Sequence, residues 1–280
     1  MKLFVTGSRG YIGRNFIKYA IKKKHMVYAV TRKKENKKVK NIKWLVGNID
    51  RDWKELKAAD ILIHFASVGV LNKKNNYKKS LEFNVFKSTQ LILNALKYNC
   101  KNWIIISTIK EKKIKHLIKT NKSKYDEQNL NYIITKYLFS NICKEISSFS
   151  NINCRILKLS HVYGGDEPAH RLWPNLKKNS KTNKNFKMTS GKQLLNFSHI
   201  DDVVSGIFEC CNFKKKNKIF PQEWELASGK SIPVKNFAEK IWKNNNAKGK
   251  IFFSKSKDFD KNNYPINKKI LWKIKSRKFE

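Results

Sequence analysis

The 280-residue chain carries 61 Lys and Arg against 21 Asp and Glu, which gives a formal net charge of +40 at pH 7. A hydrophobic fraction of 40%, with 17 Phe and 7 Trp, supports a folded core and excludes a wholly disordered chain. No segment approaches the roughly 20 apolar residues of a membrane-spanning helix, and the start, MKLFVTG, runs straight into a strand-like segment, so we expect neither a signal peptide nor a membrane partner.

In chain order, short β-branched segments alternate with amphipathic segments over the first two thirds of the sequence. Strands are predicted at 2–7, 25–32, 41–49, 61–67, 102–108 and 154–160. Helices are predicted at 11–24, 53–58, 80–99, 132–149, 201–211 and 233–244. This alternation predicts an α/β protein with a Rossmann-type, doubly wound parallel sheet. The lysine-rich segment 110–124 is predicted to be a solvated loop.

From about residue 164 the pattern becomes irregular, which predicts a smaller C-terminal α/β lobe. We expect a dinucleotide-binding Rossmann domain over 1–163, with returns near 197–228. The remaining segments, 164–196 and 229–280, are expected to form the substrate-binding lobe. Ligands of such sheets bind at the carboxyl ends of the strands.

The first strand ends in the loop VTGSRGYIG, with glycines at positions 7, 10 and 13 before the first helix. Gly7 permits a tight turn, Gly10 lets a pyrophosphate approach the backbone, and Gly13 lets the helix pack close to the strand. The helix N-terminus then offers N–H groups to the phosphates. The residues between these glycines are expected to line the same site: Ser8, Arg9, Tyr11 and Ile12.

The second strand ends in VTRKK, near the expected position of the adenosine ribose. An NAD site usually presents Asp or Glu there, whereas an NADP site presents Arg. Arg32 follows the strand and Arg9 lies in the glycine loop. The sequence therefore favours NADP(H), with NAD(H) as the alternative.

Seven segments along about three quarters of the chain resemble the ordered motifs of one family. They are TGSRGYIG at 6–13, GNID at 47–50, HFAS at 64–67, FNVFKSTQLIL at 83–93, IIIST at 104–108, ILKLSHVYGG at 156–165 and FSHIDDVVSGI at 197–207. Together they resemble the extended short-chain dehydrogenase/reductases that modify nucleotide sugars. The resemblance implies further cofactor contacts at Asn48, Ile49, Phe65, Ala66, Ser67, Asn84 and Val162.

Three tyrosines have a lysine four positions later, at Tyr19, Tyr132 and Tyr264, and in a lysine-rich chain the spacing alone carries little information. Only the pair Tyr132/Lys136 follows a strand that ends in Ser/Thr, at the position where the family has YxxSK. The resemblance therefore implies that Tyr132, Lys136 and Thr108 are catalytic, with Ser107 assisting. It also implies that Lys136 holds the nicotinamide ribose of the cofactor.

The chemistry implied by the resemblance is hydride transfer at C4 of a nucleotide-linked hexose. Dehydratases of the family follow the active-site threonine with Asp-Glu, whereas Ile109 and Lys110 follow Thr108 here, so dehydration is disfavoured. The sequence favours a nucleotide 4-keto-6-deoxysugar reductase of cell-surface polysaccharide precursor synthesis. The alternatives are an NAD-dependent nucleotide-sugar 4-epimerase and a noncatalytic relative that binds RNA or protein.

Substrate contacts are expected at His161, Arg171 and Lys192, because two usual substrate residues of the family are replaced here. The resemblance also implies a homodimer, formed through the helices at 80–99 and 132–149. Their apolar surfaces are wider than one contact with the sheet requires.

The excess positive charge has two interpretations. Clustered Lys and Arg bind the phosphates of nucleic acids. Here the excess is spread along the chain, and only seven of the 61 basic residues are arginine, the residue that most often reads bases. We interpret the charge as compositional background and expect no specific nucleic-acid partner, although anionic substrates would be attracted.

The five cysteines show no CxxC pair and no spacing typical of zinc. They are expected to be reduced thiols of a cytoplasmic protein, and we expect no metal.

Overall fold

The computed structural model describes residues 1–35, 38–70, 76–114, 130–213 and 220–254, together with the backbone of 272–273. The chain divides into two compact units. The first unit comprises residues 1–158 and 204–224, and the second comprises 159–203 and 225–280. Within the described residues, no helix has the length and apolar character needed to cross a membrane.

Strands and helices alternate along the chain, as predicted. The strands are β1 Lys2–Thr6, β2 Met26–Thr31, β3 Ile42–Val46, β4 Ile61–His64, β5 Asn102–Thr108, β6 Asn153–Leu159, β7 His161–Tyr163, β8 Phe186–Met188, β9 Leu194–His199, β10 Gln222–Ala227, β11 Ser231–Pro233, β12 Ile251–Phe253 and β13 Trp272–Lys273. The α-helices are α1 Tyr11–Lys22, α2 Tyr77–Leu81, α3 Ser88–Lys97, α4 Leu130–Phe149, α5 Leu172–Lys181, α6 Ile200–Glu209 and α7 Val234–Asn244. A 3₁₀ helix spans Lys54–Ala58, and a π-helical turn at Glu82–Lys87 joins α2 to α3.

The central sheet has the strand order β10-β6-β5-β4-β1-β2-β3, with β13 beside β10. β1 pairs in parallel with β2 and β4, β2 with β3, and β4 with β5. All four residues of β4 are buried, and so are five of the seven in β5, which is typical of strands covered on both faces. The predicted Rossmann-type α/β fold is confirmed.

The register of the sheet brings three strand ends together. Thr6 of β1 pairs with His64 of β4, and His64 pairs with Ile105 of β5. The glycine loop after β1, the segment after β4 and the end of β5 therefore leave the same edge of the sheet. Ligands of parallel sheets bind at this edge.

A large hydrophobic core lies within the described part of the first unit. It combines residues of the strands, such as Phe4 and Trp103, with Phe139 and Cys143 of α4. Trp103 and Phe139 are fully buried. Because α4 packs against β5, the helix that carries the predicted tyrosine and lysine is fixed to the strand that carries Thr108.

The second unit has a small sheet and a core of its own. Its strand order is β11-β9-β7, and β12 pairs with β8. The core gathers aromatic side chains, among them Tyr163, Trp173 and Phe197. The rings of Phe197 and Phe237 are stacked, with centroids 3.8 Å apart.

The prediction of a solvated loop over 110–124 is wrong for part of that segment. Residues 111–114 form a helical turn in which Glu111, Lys113 and Ile114 are buried. The lysine-rich composition suggested solvation, but three side chains of this turn are packed into the first unit. The remainder of that segment lies outside the described residues.

Candidate active site

The glycine loop is shaped by close backbone contacts. Gly7 has φ +67°, and a Cβ at this position would lie 2.6 Å from the backbone nitrogen of Ala66. At Gly13 a Cβ would lie 2.3 Å from the carbonyl oxygen of Gly7, whereas at Gly10 the nearest atom would be 3.2 Å away. Gly7 and Gly13 are therefore required by the fold, and Gly10 leaves room beside the loop for a ligand to approach.

The other residues of the loop are held in different ways. The Ser8 hydroxyl is buried and donates to the carbonyl of Val30, with 2.6 Å between the oxygens. Tyr11 and Ile12 are half-buried at the start of α1. Gly10 precedes this helix and has no side chain to cap its first N–H groups, which favours the binding of a phosphate.

The residues expected at the adenosine end lie after β2 and β3. Arg32 is exposed directly after β2. Arg9 forms a salt bridge with Glu35, so the two arginines at this end are accompanied by an acid three residues after Arg32. Asn48 is exposed and its carbonyl accepts a hydrogen bond from Trp53 Nε1 at 3.1 Å, while Ile49 is buried in the core.

The segment after β4 lies against the glycine loop. Phe65 is half-buried with its ring centroid 5.3 Å from that of Phe16 on α1, Ala66 is buried, and Ser67 is half-buried. Asn84 is buried, and its amide pairs with the backbone N–H and C=O of Val68. Asn84 therefore fixes the backbone of this segment.

The same asparagine reaches the helix of the predicted catalytic pair. Asn84 Nδ2 donates to Thr135 Oγ1 at 2.9 Å, beside Lys136 on α4. Tyr132 is half-buried and Lys136 is buried, one helical turn apart. A Cβ at Gly69 would lie 3.4 Å from Tyr132 Cβ, so the segment after β4 also packs against the start of this face of α4.

Burial dominates the electrostatics around Lys136. It lowers the pKa of this ammonium to about 8, although the charge of Glu111 favours the protonated form. Burial, together with the positive charge of Lys136, also lowers the pKa of His64 to about 3. His64 is therefore neutral near pH 7, and its ring hydrogen-bonds Thr6 and Ser88. A lysine with a pKa near working pH suits the stabilisation of a tyrosinate.

Thr108 and Ser107 differ in their surroundings. Thr108 is the last residue of β5 and is half-buried. Ser107 is buried, and its hydroxyl donates to the carboxylate of Glu111. The Ser107 hydroxyl is therefore bound to a buried acid. Thr108 lies at the carboxyl end of β5, at the edge of the sheet where ligands are expected. Glu111 gave no signal in the sequence because it lies within a run of lysines.

Residues expected to contact substrate or cofactor from the later part of the chain lie in the second unit. His161 is half-buried with its ring centroid 5.2 Å from that of Phe197, and Val162 is buried on β7. Arg171 pairs with the buried Glu167 at 3.0 Å, and Lys192 is exposed. Burial raises the pKa of Glu167, while the Arg171 charge opposes that shift. Glu167 and Arg171 are four residues apart in the turn before α5, outside any helix, so helical spacing gave no signal for this pair.

No group of three His, Cys, Asp or Glu in the described part of the chain could hold a metal ion. The five cysteines are all free and buried.

The sequence matches the model of a known protein family. The chain belongs to the NAD dependent epimerase/dehydratase family, whose model matches residues 3–220. The glycine cradle fits the dinucleotide of this family, because the loop excludes a Cβ at Gly7 and Gly13 and leaves space at Gly10. The chain is therefore that of an NAD(P)-dependent enzyme of this family.

Two curated relatives are similar over most of the chain. The CDP-abequose synthase of Salmonella typhimurium is 25% identical over 251 residues, which cover 84% of this chain and 78% of that protein. The dTDP-6-deoxy-L-talose 4-dehydrogenase (NAD(+)) of Aggregatibacter actinomycetemcomitans is 24% identical over 238 residues, which cover 78% of this chain and 86% of that protein.

The fold also resembles that of solved structures. The UDP-N-acetylglucosamine 4-epimerase of Methanobrevibacter ruminantium, solved with UDP-N-acetylmuramic acid, superposes with a TM-score of 0.76 and 16% identity. The match covers 92% of this chain and 86% of that one. At this level of identity the likeness supports the fold.

The glycine contacts predict different effects for two similar substitutions. Gly13→Ala forces α1 away from the loop, so we expect a stability loss of about 1–3 kcal/mol and weak dinucleotide binding. At Gly10 a methyl group meets only the Gly7 carbonyl oxygen, at 3.2 Å, so we expect a smaller stability loss than in Gly13→Ala but weaker dinucleotide binding. Thermal unfolding and titration of NADPH or NADH fluorescence measure both effects. Normal dinucleotide binding by folded Gly13→Ala would contradict the assignment of the loop.

Proposed function

We propose that this chain reduces the 4-keto group of a nucleotide-linked 4-keto-6-deoxyhexose, a reaction of cell-surface polysaccharide precursor synthesis. The carrying observation is the pair Tyr132/Lys136 on α4, with the lysine buried and α4 packed against the strand that ends in Thr108. The similarity to a CDP-abequose synthase and to a dTDP-6-deoxy-L-talose 4-dehydrogenase supports this substrate class. The buried free cysteines are consistent with a reducing, cytoplasmic location.

The bound dinucleotide would be held by the glycine loop and would supply the hydride. The protein's own residues then handle the proton and the charge. As a ketone becomes an alcohol, the Tyr132 hydroxyl donates a proton to the carbonyl oxygen. The Lys136 ammonium stabilises the resulting phenolate, and the Thr108 hydroxyl donates a hydrogen bond to the same oxygen of the substrate.

A 4-epimerase is the second candidate. It needs the same tyrosine and lysine, but keeps its cofactor bound and returns the hydride to the opposite face of the sugar. The fold of the Methanobrevibacter 4-epimerase supports this alternative only at the level of architecture. Ile109 and Lys110 after Thr108 provide no Asp-Glu pair, so we do not propose dehydration.

The function is tested by the oxidation of NADPH and of NADH with a panel of CDP- and dTDP-linked 4-keto-6-deoxyhexoses. We expect net oxidation with at least one member of the panel. Tyr132→Phe removes the proton donor and is expected to lower kcat by about 10²–10⁴-fold while dinucleotide binding is retained.

The matched control is Tyr137→Phe, which removes the hydroxyl of a half-buried tyrosine on the same helix. This variant is expected to keep its activity. Normal turnover by Tyr132→Phe would make the catalytic assignment wrong. Tightly bound NAD without net oxidation would support the 4-epimerase, and sequence-selective RNA binding without turnover would support a noncatalytic relative.

For the cofactor we favour NADP(H), with NAD(H) as the alternative. Arg9 and Arg32 are exposed beside the expected ribose position, which suits a 2′-phosphate. Glu35 weakens the preference for NADP(H) over NAD(H), because its carboxylate already pairs with Arg9. A 2′-phosphate has to replace this carboxylate on Arg9, whereas a 2′-hydroxyl can donate to it.

This competition predicts opposite effects at the two partners. Glu35→Gln removes the competing charge and is expected to raise the preference for NADPH over NADH by about tenfold, the effect of ~1.4 kcal/mol. Arg9→Ala is expected to shift the preference toward NADH. Dissociation constants from dinucleotide fluorescence measure both, with Glu55→Gln as a control in the exposed pair with Lys43. Equal affinity changes for both dinucleotides would contradict a ribose site at Arg9 and Glu35.

We also propose that a second copy of the chain binds the outer faces of the helices from α2 to α4. Phe86 and Leu93 lie two turns apart on one helical stretch and are 68% and 43% exposed. On α4, Leu138 is 38% and Phe149 is 87% exposed. Exposed apolar surface of this kind is costly in a monomer and suits association.

The dimer is tested by light scattering after size exclusion. Wild type is expected to elute as a dimer, and Phe86→Glu combined with Leu138→Glu as a monomer, because buried unpaired carboxylates oppose association. Phe253→Glu, at a 39% exposed position on β12, is the control and should leave the mass unchanged. A monomeric wild type at all concentrations would overturn this proposal.

A further inference from the structure

Glu111 is a buried acid that the proposed mechanism does not use. It lies three residues after Thr108 and is only 1% exposed. A buried carboxylate is unfavourable unless hydrogen bonds or opposite charges compensate it. Its partners therefore indicate what it holds in place.

Glu111 joins three elements of the first unit. The hydroxyl of Ser107, on β5, and that of Ser140, on α4, both donate to Oε1 of Glu111, the second with 2.6 Å between the oxygens. The Lys158 ammonium, on β6, lies 3.1 Å from Oε2. Ser107, Ser140 and Lys158 are buried as well, so these contacts are shielded from solvent.

The contact with Ser140 relates Glu111 to the proposed catalytic lysine. Tyr132, Lys136 and Ser140 follow one another at intervals of four along α4, so they lie on successive turns of one broad face. Glu111 hydrogen-bonds the turn directly after Lys136. The contact with Ser107 places the same carboxylate beside the residue that precedes Thr108.

We propose that Glu111 is a positioning residue for the reaction proposed above: its carboxylate keeps the buried Lys136 ammonium charged and fixes the end of β5, with Thr108, against α4. This inference rests on the proposed function. It assigns Glu111 no contact with substrate or dinucleotide. Its effect is transmitted through Lys136 and through Ser107.

The charges around Lys136 give the direction of the effect. Burial lowers the pKa of Lys136 to about 8, and the Glu111 charge opposes this shift. His64 on β4 is neutral near pH 7, because burial lowers its pKa to about 3. Burial raises the pKa of Cys143, on α4, well above its ordinary value, so this group remains a thiol. Without Glu111, the pKa of Lys136 falls, and the ammonium is lost at a lower pH.

A purely structural role is the competing explanation, because Glu111 also neutralises Lys158. The chain offers a matched control in Glu223 on β10. Its carboxylate lies 3.1 Å from the same Lys158 ammonium and 3.1 Å from Lys144. Glu223→Gln removes one carboxylate from Lys158 and leaves Ser107 and Ser140 on Glu111.

The experiment compares kcat and KM of wild type, Glu111→Gln and Glu223→Gln between pH 6 and pH 10. The alkaline limb of kcat is a macroscopic value that includes the loss of the Lys136 proton. In Glu111→Gln we expect this limb to move to lower pH, with kcat at pH 8 reduced about fivefold or more and KM changed by less than about twofold. Glu223→Gln is expected to keep the wild-type limb.

Loss of one partner from a buried ion pair can prevent folding. If Glu111→Gln does not fold, the double variant Glu111→Gln/Lys158→Met removes both charges and is measured in the same way. A shifted limb in either variant, together with a wild-type limb in Glu223→Gln, supports the proposal. A wild-type limb in the folded variant, or equal shifts in Glu111→Gln and Glu223→Gln, overturns it.

A second readout separates this inference from the proposed function. The Lys136 ammonium is titrated by NMR in protein labelled with ¹³C at lysine Cε, and its signal is identified by its absence in Lys136→Met. We expect a lower midpoint in Glu111→Gln than in wild type, and an equal midpoint overturns the inference. If wild type turns over no member of the substrate panel, the proposed function fails while this titration still decides the role of Glu111.

Discussion

The burial of the Lys136 ammonium is the constraint on which the first unit depends. A charge in a protein interior is costly unless neighbouring groups compensate it. Lys136 is only 3% exposed, and its pKa is lowered to about 8, so the balance between its two protonation states is close. Two neighbouring groups carry different charges: His64 is neutral, whereas the Glu111 carboxylate pairs with Lys158. A small change in these groups therefore changes the charge on Lys136.

Neutral hydrogen bonds supply the geometry that this charge requires. Asn84 connects Val68, in the segment after β4, with Thr135, the residue before Lys136. His64 connects Thr6, at the end of β1, with Ser88 at the start of α3. The glycine loop follows Thr6 directly. His64 thus joins the edge where the dinucleotide is expected to α3, and Asn84 joins the segment after β4 to the helix that carries Tyr132.

The sequence predicted those features that depend on local spacing. The glycines at 7, 10 and 13 reveal a turn between strand and helix, and close backbone contacts exclude larger residues at Gly7 and Gly13. The acids Glu35 and Glu111 were missed, because Arg9 and Lys158, the cations they pair with, are distant in sequence and a lysine-rich chain offers a cation near almost any acid. The buried turn at 111–114 was mistaken for solvated loop for the same reason, since composition averages over exposed and buried lysines. The pair Glu167 and Arg171 is local, but it lies in a turn before α5, where the helical i,i+4 spacing rule does not apply.

Burial explains why the same type of ion pair has different consequences along this chain. A net charge of +40 attracts anions without selecting among them. The pair Arg9–Glu35 is partly exposed, so a ligand phosphate can replace the carboxylate and the pair can discriminate between anions. The pair Lys158–Glu111 is buried, and no anion from solvent can replace its carboxylate without opening the core. In the roles proposed above, Glu35 selects which anion binds at Arg9, and the buried Glu111 sets the charge on Lys136.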